Sequence, residues 1–272
     1  MKNSLTTMFL AAIFLCTCKV NAQNTDTVNI TAANINTKVL REGTHRYLVY
    51  FKMGKEATRT QTQFWTRKIA RVTFDGKPCI EITQEWEDKD SIMHTVKSIS
   101  DANTMQPLYH KTWWKVQRSR TSTVKTVSET TVDFLKKTVE YNGKLVSDAD
   151  TSKQVKPIWE GYKSSLGKSW FNWHLDLETF PLLPYKTGVT FVIPFYDPGT
   201  ASNYQNVAYT VTGSSELTGY DNQKIDCWLL LHEDKGNKEV FWISKKTKEV
   251  LKLEQEINGK LYRYKIKLGF SI

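Results

Sequence analysis

From Arg46 onward, apolar and β-branched residues arrive in short runs separated by turn-forming pairs, the pattern of consecutive strands. Residues 47–51 are a near-continuous run of β-formers, which predicts a strand buried on both faces. Residues 64–74 follow, and Asp75-Gly76 marks a tight turn. Residues 79–86 alternate by polarity, residues 87–90 are a charged turn, and residues 93–99 and 108–116 continue the series. Residues 118–127 are rich in β-branched side chains but exposed in character. Asn142-Gly143 and Asn258-Gly259 are dipeptides favoured in type I′ turns and predict hairpins. In the final strand the period of two is unambiguous. Tyr262, Tyr264, Ile266, Leu268, Phe270 and Ile272 share one face, and Arg263, Lys265 and Lys267 share the other. The apolar set is expected on a core and the cationic set in water.

Between about residues 151 and 184 the texture changes. Trp159, Tyr162, Leu166, Trp170, Phe171, Trp173, Leu175, Leu177 and Phe180 recur at helical rather than strand spacing. Ser169 is a candidate N-cap, and Pro181 and Pro184 stop the segment, so one or two short helices are expected to lay an aromatic face on the sheet. Strand resumes at residues 188–196. A weak repeat relates residues 75–82 to residues 222–230, which predicts two similar meanders. The expected fold is mainly β: one antiparallel domain over residues 45–272, preceded by a flexible, Asn- and Thr-rich lead-in over residues 23–44.

The N-terminus bears on location. Lys2 precedes a short apolar run over residues 8–16, and Val20-Asn-Ala22 places small or β-branched residues before a cut at Gln23. Residues 1–22 are therefore expected to be a cleavable signal peptide, and the mature chain is expected in the periplasm. A lipid anchor is the less favoured alternative, because Leu15 and Thr17, rather than small residues, precede Cys16 and Cys18. No later run is long and apolar enough for a transmembrane helix.

The chain carries 38 Lys and Arg against 28 Asp and Glu, a formal charge of +10. Such a balance suits anionic headgroups or acidic glycans, and equally a solvated lysine-rich surface that guards sheet edges. Nucleic acid is not an expected partner outside the cytoplasm. Cys79 and Cys227 remain after cleavage, in strand-like runs. An oxidising compartment permits a disulfide between them, and the sequence leaves open whether it forms.

Residues 177–188 and the strand ending Ile193-Pro-Phe, with Asp226-Cys-Trp-Leu-Leu and residues 240–254, resemble a recurrent segment of the exported bacterial family DUF3108, of unknown function. The resemblance covers about residues 45–270. It implies an antiparallel curved sheet, a half-barrel or β-roll, with one or two short helices on its concave face, similar to the carriers LolA and LolB. It supplies no catalytic residues.

No nucleophile elbow, phosphate loop or metal-ligand spacing appears, and the five histidines, His45, His94, His110, His174 and His232, are scattered. Neither a catalytic residue, a metal nor a cofactor is expected. The carboxylate pairs Glu85/Glu87 and Glu254/Glu256 read as a solvated face. Trp113-Trp114, flanked by Lys111, Lys115, Arg118 and Arg120, form a candidate aromatic shelf with a basic rim. Trp170, Trp173 and Phe180 are candidates for a pocket wall, and core roles compete for all five aromatics. Two functions are expected from this. The first is a non-enzymatic periplasmic binding or carrier protein for an apolar or amphiphilic ligand such as a lipid. The second is an envelope module that binds another protein through a sheet face or edge. An outer-membrane barrel would suit residues 261–272 but not the helical segment.

Overall fold

The computed structural model describes residues 26–89, 91–117, 125–219 and 221–269. In chain order the strands are β1 (Thr27–Asn29), β2 (Gly43–Lys52), β3 (Arg59–Phe74), β4 (Lys77–Glu87), β5 (Ile92–Asp101), β6 (Pro107–Gln117), β7 (Lys125–Asp133), β8 (Thr138–Tyr141) and β9 (Lys144–Leu145). Helix α1 (Lys156–Ser165), β10 (Phe171–Asn172) and α2 (Asp176–Thr179) follow. The chain ends with β11 (Thr190–Tyr196), β12 (Gln205–Thr218), β13 (Lys224–Asp234), β14 (Asn237–Ser244), β15 (Val250–Ile257) and β16 (Leu261–Leu268).

All of these strands join one open, curved sheet ordered β1-β11-β12-β13-β14-β15-β16-β2-β3-β4-β5-β6-β7-β8-β9, with β10 also on β11. Two antiparallel meanders thus meet where β16 pairs with β2. The weak repeat falls on equivalent strands, β4 and β13. Turn chemistry fixes the register. Asp75 and Gly76, like Asn142 and Gly143, both hold positive φ, which Asn, Asp and Gly tolerate, and each pair forms a two-residue loop. Asn258 and Gly259 also hold positive φ, but Ile257 pairs with Leu261, so that loop has three residues.

The segment Trp173–Leu182 folds as a 3-10 turn, α2 and a second 3-10 turn, and packs on the concave face. Leu175, Leu177, Phe180 and Leu182 are buried there against Phe191, Phe195, Tyr209 and Phe241. The short helices expected here are α1 and α2, but the aromatic residues between them do not keep helical spacing. Trp170 precedes the two-residue strand β10, and Asn172, not Ser169, caps the next turn by accepting from the His174 N–H. A smaller cluster of Val132, Val139, Val146, Ile158 and Tyr162 seats α1. Gly161 is needed in that helix, since a Cβ there would lie 2.2 Å from the Ser202 carbonyl oxygen.

Several expectations change. The lead-in is anchored from Thr27 onward: β1 pairs in parallel with β11, and Ile30 and Leu40 are buried in the main core. Strand β2 buries Tyr47 and Val49 but leaves Leu48 and Tyr50 partly exposed, so only one face meets the core. Strand β16 keeps its period of two with the faces exchanged. Lys265 and Lys267 are each 4% exposed, whereas Leu268 is 41% exposed. Cys79 and Cys227 are both buried and free, on β4 and β13, which six strand-to-strand steps separate along the sheet; no disulfide joins them. The expected signal peptide, Phe270 and Ile272 lie outside the described residues. Among the described residues no helix is long and apolar enough to cross a membrane.

Candidate functional site: a cleft on the concave face

Strands β2 to β6 and β14 to β16 present one set of alternating side chains to the concave face. Near its middle that set is polar. Arg67 on β3, 1% exposed, donates from Nε and Nη2 to the two carboxylate oxygens of Glu178 at 2.7 and 2.6 Å, and to the His174 carbonyl at 2.8 Å. This two-pronged pair locks the helical segment to the sheet. Lys265 and Asp176 are 3.4 Å apart, Arg263 and Glu239 3.7 Å, and Lys267 is bonded to Glu249. These carboxylates explain why the cationic side of β16 turns inward.

On the concave face lies a cleft with two adjoining halves that share Trp65, Trp86 and Arg263, and only the inner half borders this segment. The outer half, about 880 Å³, is lined by Phe51, Met93, Trp114 and Val116, with Lys89 and Lys115 among its polar residues. The inner half, about 510 Å³, is lined by Asp176, Asp197, Glu239, His174, Lys265 and Trp173 among others.

The aromatic side chains form a column. Lys265 Nζ stands 4.6 Å from the Trp65 ring centre, Trp65 stacks on Trp86 at 3.7 Å, and the His174 ring lies parallel beyond Trp86 at 5.9 Å. The Trp65 and Trp86 N–H groups donate to Gln63 and Gln84. Trp114 stacks on His94 at 3.5 Å. Much of the indole face area is therefore engaged within the protein.

His94 and His174 belong to a hydrogen-bonded chain. The Trp113 carbonyl accepts from His94 Nδ1 at 2.8 Å, the two Nε2 atoms are 2.8 Å apart, and His174 Nδ1 meets Asp197 at 2.8 Å. Satisfying all three bonds requires three protons, which makes the chain neutral overall whether His174 or Asp197 holds the third. Burial, and then His174, push His94 down to about 3, so its ring is uncharged. His110, fully buried, is driven well below its ordinary value by desolvation; its Nδ1 accepts from Asn172 at 3.0 Å. Burial lowers Lys265 to about 8 against the pull of Asp176. For Asp176 burial works the other way, but Lys265 and Arg67 hold its carboxyl below the usual range. Among the described residues no three His, Cys, Asp or Glu side chains are grouped to hold a metal ion.

Of the aromatic candidates, Trp114 and Trp173 line the cleft. Trp113 projects from the opposite face of β6, so the two adjacent tryptophans form no common shelf. Trp170 is buried edge-on to Phe134 and Tyr196, and Phe180 is wholly buried in the core. Of the basic rim, Lys115 reaches the cleft and donates to Ser91, whereas Lys111 pairs with Glu129 at 2.9 Å. Arg118 and Arg120 lie outside the described residues. Sequence patterning missed Trp65, Arg67, Trp86, His94, His174, Asp176, Asp197, Glu239, Arg263 and Lys265. Their one available signal was the presence of polar residues at positions in phase with buried ones, such as Arg67 between Trp65 and Ile69.

A model of the family described as protein of unknown function DUF3108 matches residues 46–267. Among solved structures, the chain is similar to a β-barrel-like protein of domain of unknown function DUF1849 from Brucella abortus. Identity is 7% and the TM-score 0.41, over 86% of this chain and 99% of that one. No curated protein matches the sequence. The expected likeness to LolA and LolB gains no support from these matches.

Proposed function

The chain belongs to the DUF3108 family of proteins of unknown function, and from its own cleft we propose a non-enzymatic binding or carrier protein, exported to the periplasm, for an amphiphilic ligand. The observation that carries this reading is the division of one cleft into an outer half with many apolar side chains and an inner polar half. The apolar part of the ligand lies along Phe51, Met93 and Trp114, and its polar part reaches Arg263 and the groups beyond. A cleft of this size and lining is what small-molecule recognition requires. The inner ionisable groups are held by one another, an arrangement suited to recognition rather than turnover. Export is supported by the leader-like composition of residues 1–22.

Native mass spectrometry of the chain from Gln23, purified gently from an envelope-containing host, tests the proposal. Amphiphile adducts are expected, reduced by Trp114→Ala and Met93→Asp. A bare mass under conditions that retain weak ligands would count against it. One observation favours the second reading, a protein-docking edge. Strand β7 pairs with β8 only over Thr130–Asp133, so among the described residues the outer edge of residues 125–128 has no strand partner, and Val116 and Val127 are exposed nearby.

A further inference from the structure

Four cations on β3 and β16 turn inward: Arg67, Arg263, Lys265 and Lys267. Three of them hydrogen-bond a carboxylate, Arg67 that of Glu178, Lys265 that of Asp176 and Lys267 that of Glu249. Arg263 does not. Its facing acid, Glu239, stands 3.7 Å away, beyond a hydrogen bond, and the same oxygen already accepts from Gln255 at 2.7 Å. The Arg263 guanidinium makes no hydrogen bond to any described residue, and its side chain is 26% exposed. Nε is closed to solvent, so the nitrogens within a ligand's reach are Nη1 and Nη2.

Arg263 lines both halves of the cleft, at the place where the apolar walls give way to polar ones. In the outer half Lys89, Lys115 and Arg263 face a single lining carboxylate, Asp88. An anion moving along that half therefore meets a positive excess. In the inner half Asp176, Asp197, Asp234 and Glu239 outnumber Arg67 and Lys265, so the anion is stopped at Arg263. Burial lowers the Arg263 guanidinium from its ordinary value against the pull of Glu239 and Asp176. A carboxylate on Nη1 and Nη2 would offset that burial with two charge-assisted bonds. Glu239 and Asp88 repel each further negative charge, so a head with one charge suits this place better than a head with two.

We infer that the outer half of the cleft takes a single-chain carboxylate amphiphile, a long-chain fatty acid, with its head on Arg263 and its chain along Phe51, Met93, Trp114 and Val116. This rests on the binding role proposed above and names the chemistry of the ligand's head. The outer half, about 880 Å³, has room for one alkyl chain.

Four amphiphiles with a twelve-carbon chain separate the head from the tail: dodecanoate, dodecyl phosphate, dodecyl glucoside and dodecyltrimethylammonium. Each is titrated at pH 7, below its micelle concentration, into the chain from Gln23 and followed by calorimetry. Dodecanoate is expected to bind at least about tenfold more tightly than the glucoside or the ammonium, and more tightly than the phosphate. Arg263→Met should erase that advantage while the glucoside binds as before. Glu239→Gln keeps an acceptor for Gln255 but removes the competing charge, and should strengthen dodecanoate binding roughly three- to fivefold. Circular dichroism checks that each variant is folded, and if Arg263→Met is not, Glu239→Gln decides alone. Equal binding of all four, tightest binding of another head, or a preference that either folded variant leaves unmoved would overturn the headgroup inference while leaving the binding role standing. Failure of all four to bind would remove the binding role and the inference with it.

Discussion

Lys265 illustrates what a charge inside this sheet does. Its folded value is near 8 against an ordinary 10.5, because burial outweighs Asp176. Between those values the unfolded chain holds a proton that the folded chain has released, so this group makes stability rise with pH across that window. Lys265→Met is expected to flatten the rise in chemical denaturation measured at pH 8 to 10. The Lys265 ammonium also lies over Trp65, so tryptophan emission should titrate with a midpoint near 8 and lose that transition in the variant. His94 acts at the acid end, where the unfolded chain takes up a proton near 6.5 and the folded chain resists to about 3. Stability from this group is thus lost as pH falls below 6.5, and His94→Gln should shallow the acid slope of urea midpoints. Glu178→Ala leaves buried Arg67 with Asp176 as its only carboxylate, at 3.9 Å, and is expected to cost roughly 3 kcal/mol. In the same urea titration the double replacement Arg67→Met with Glu178→Leu should cost far less. None of these partnerships was legible along the chain. Alternation in β16 was plain, but alternation alone does not say which face is inside, and of the acids that invert it Asp176 lies far back in the chain and Glu249 in the turn before β15.

Single elements were legible where local chemistry decides them. Asp75-Gly76 and Asn142-Gly143 fix two-residue loops because both positions need positive φ. The aromatic stretch was harder, since 3-10 turns, α2 and β10 follow one another too closely to keep one period. The lead-in was misread because its polar composition hides two anchors, Ile30 and Leu40. Removing residues up to Leu40 should lower the melting temperature well beyond removal up to Thr25, since each buried aliphatic side chain contributes about 1.5–3 kcal/mol. In α1, Gly161→Ala forces a methyl into the Ser202 carbonyl and is expected to cost about 1–3 kcal/mol by thermal denaturation.

At the scale of the molecule, the mainly antiparallel class and the two meanders could be foreseen from strand after strand with short turns. The cleft could not, because its walls come from β3, β4, β6, β16 and the Trp173–Leu182 segment, which only the completed sheet brings together. The two buried thiols predict that melting temperature is the same with and without reductant, and that thiol reagents label Cys79 and Cys227 only on unfolding. The meeting of β16 with β2 bears on the order in which the chain is made. Among the described strands, the one that fills the middle of the sheet comes latest in the chain, so β2 to β9 and β11 to β15 meet only once it is made. A chain cut short before Leu261 leaves its two halves unjoined, each with a bare edge where β16 would lie.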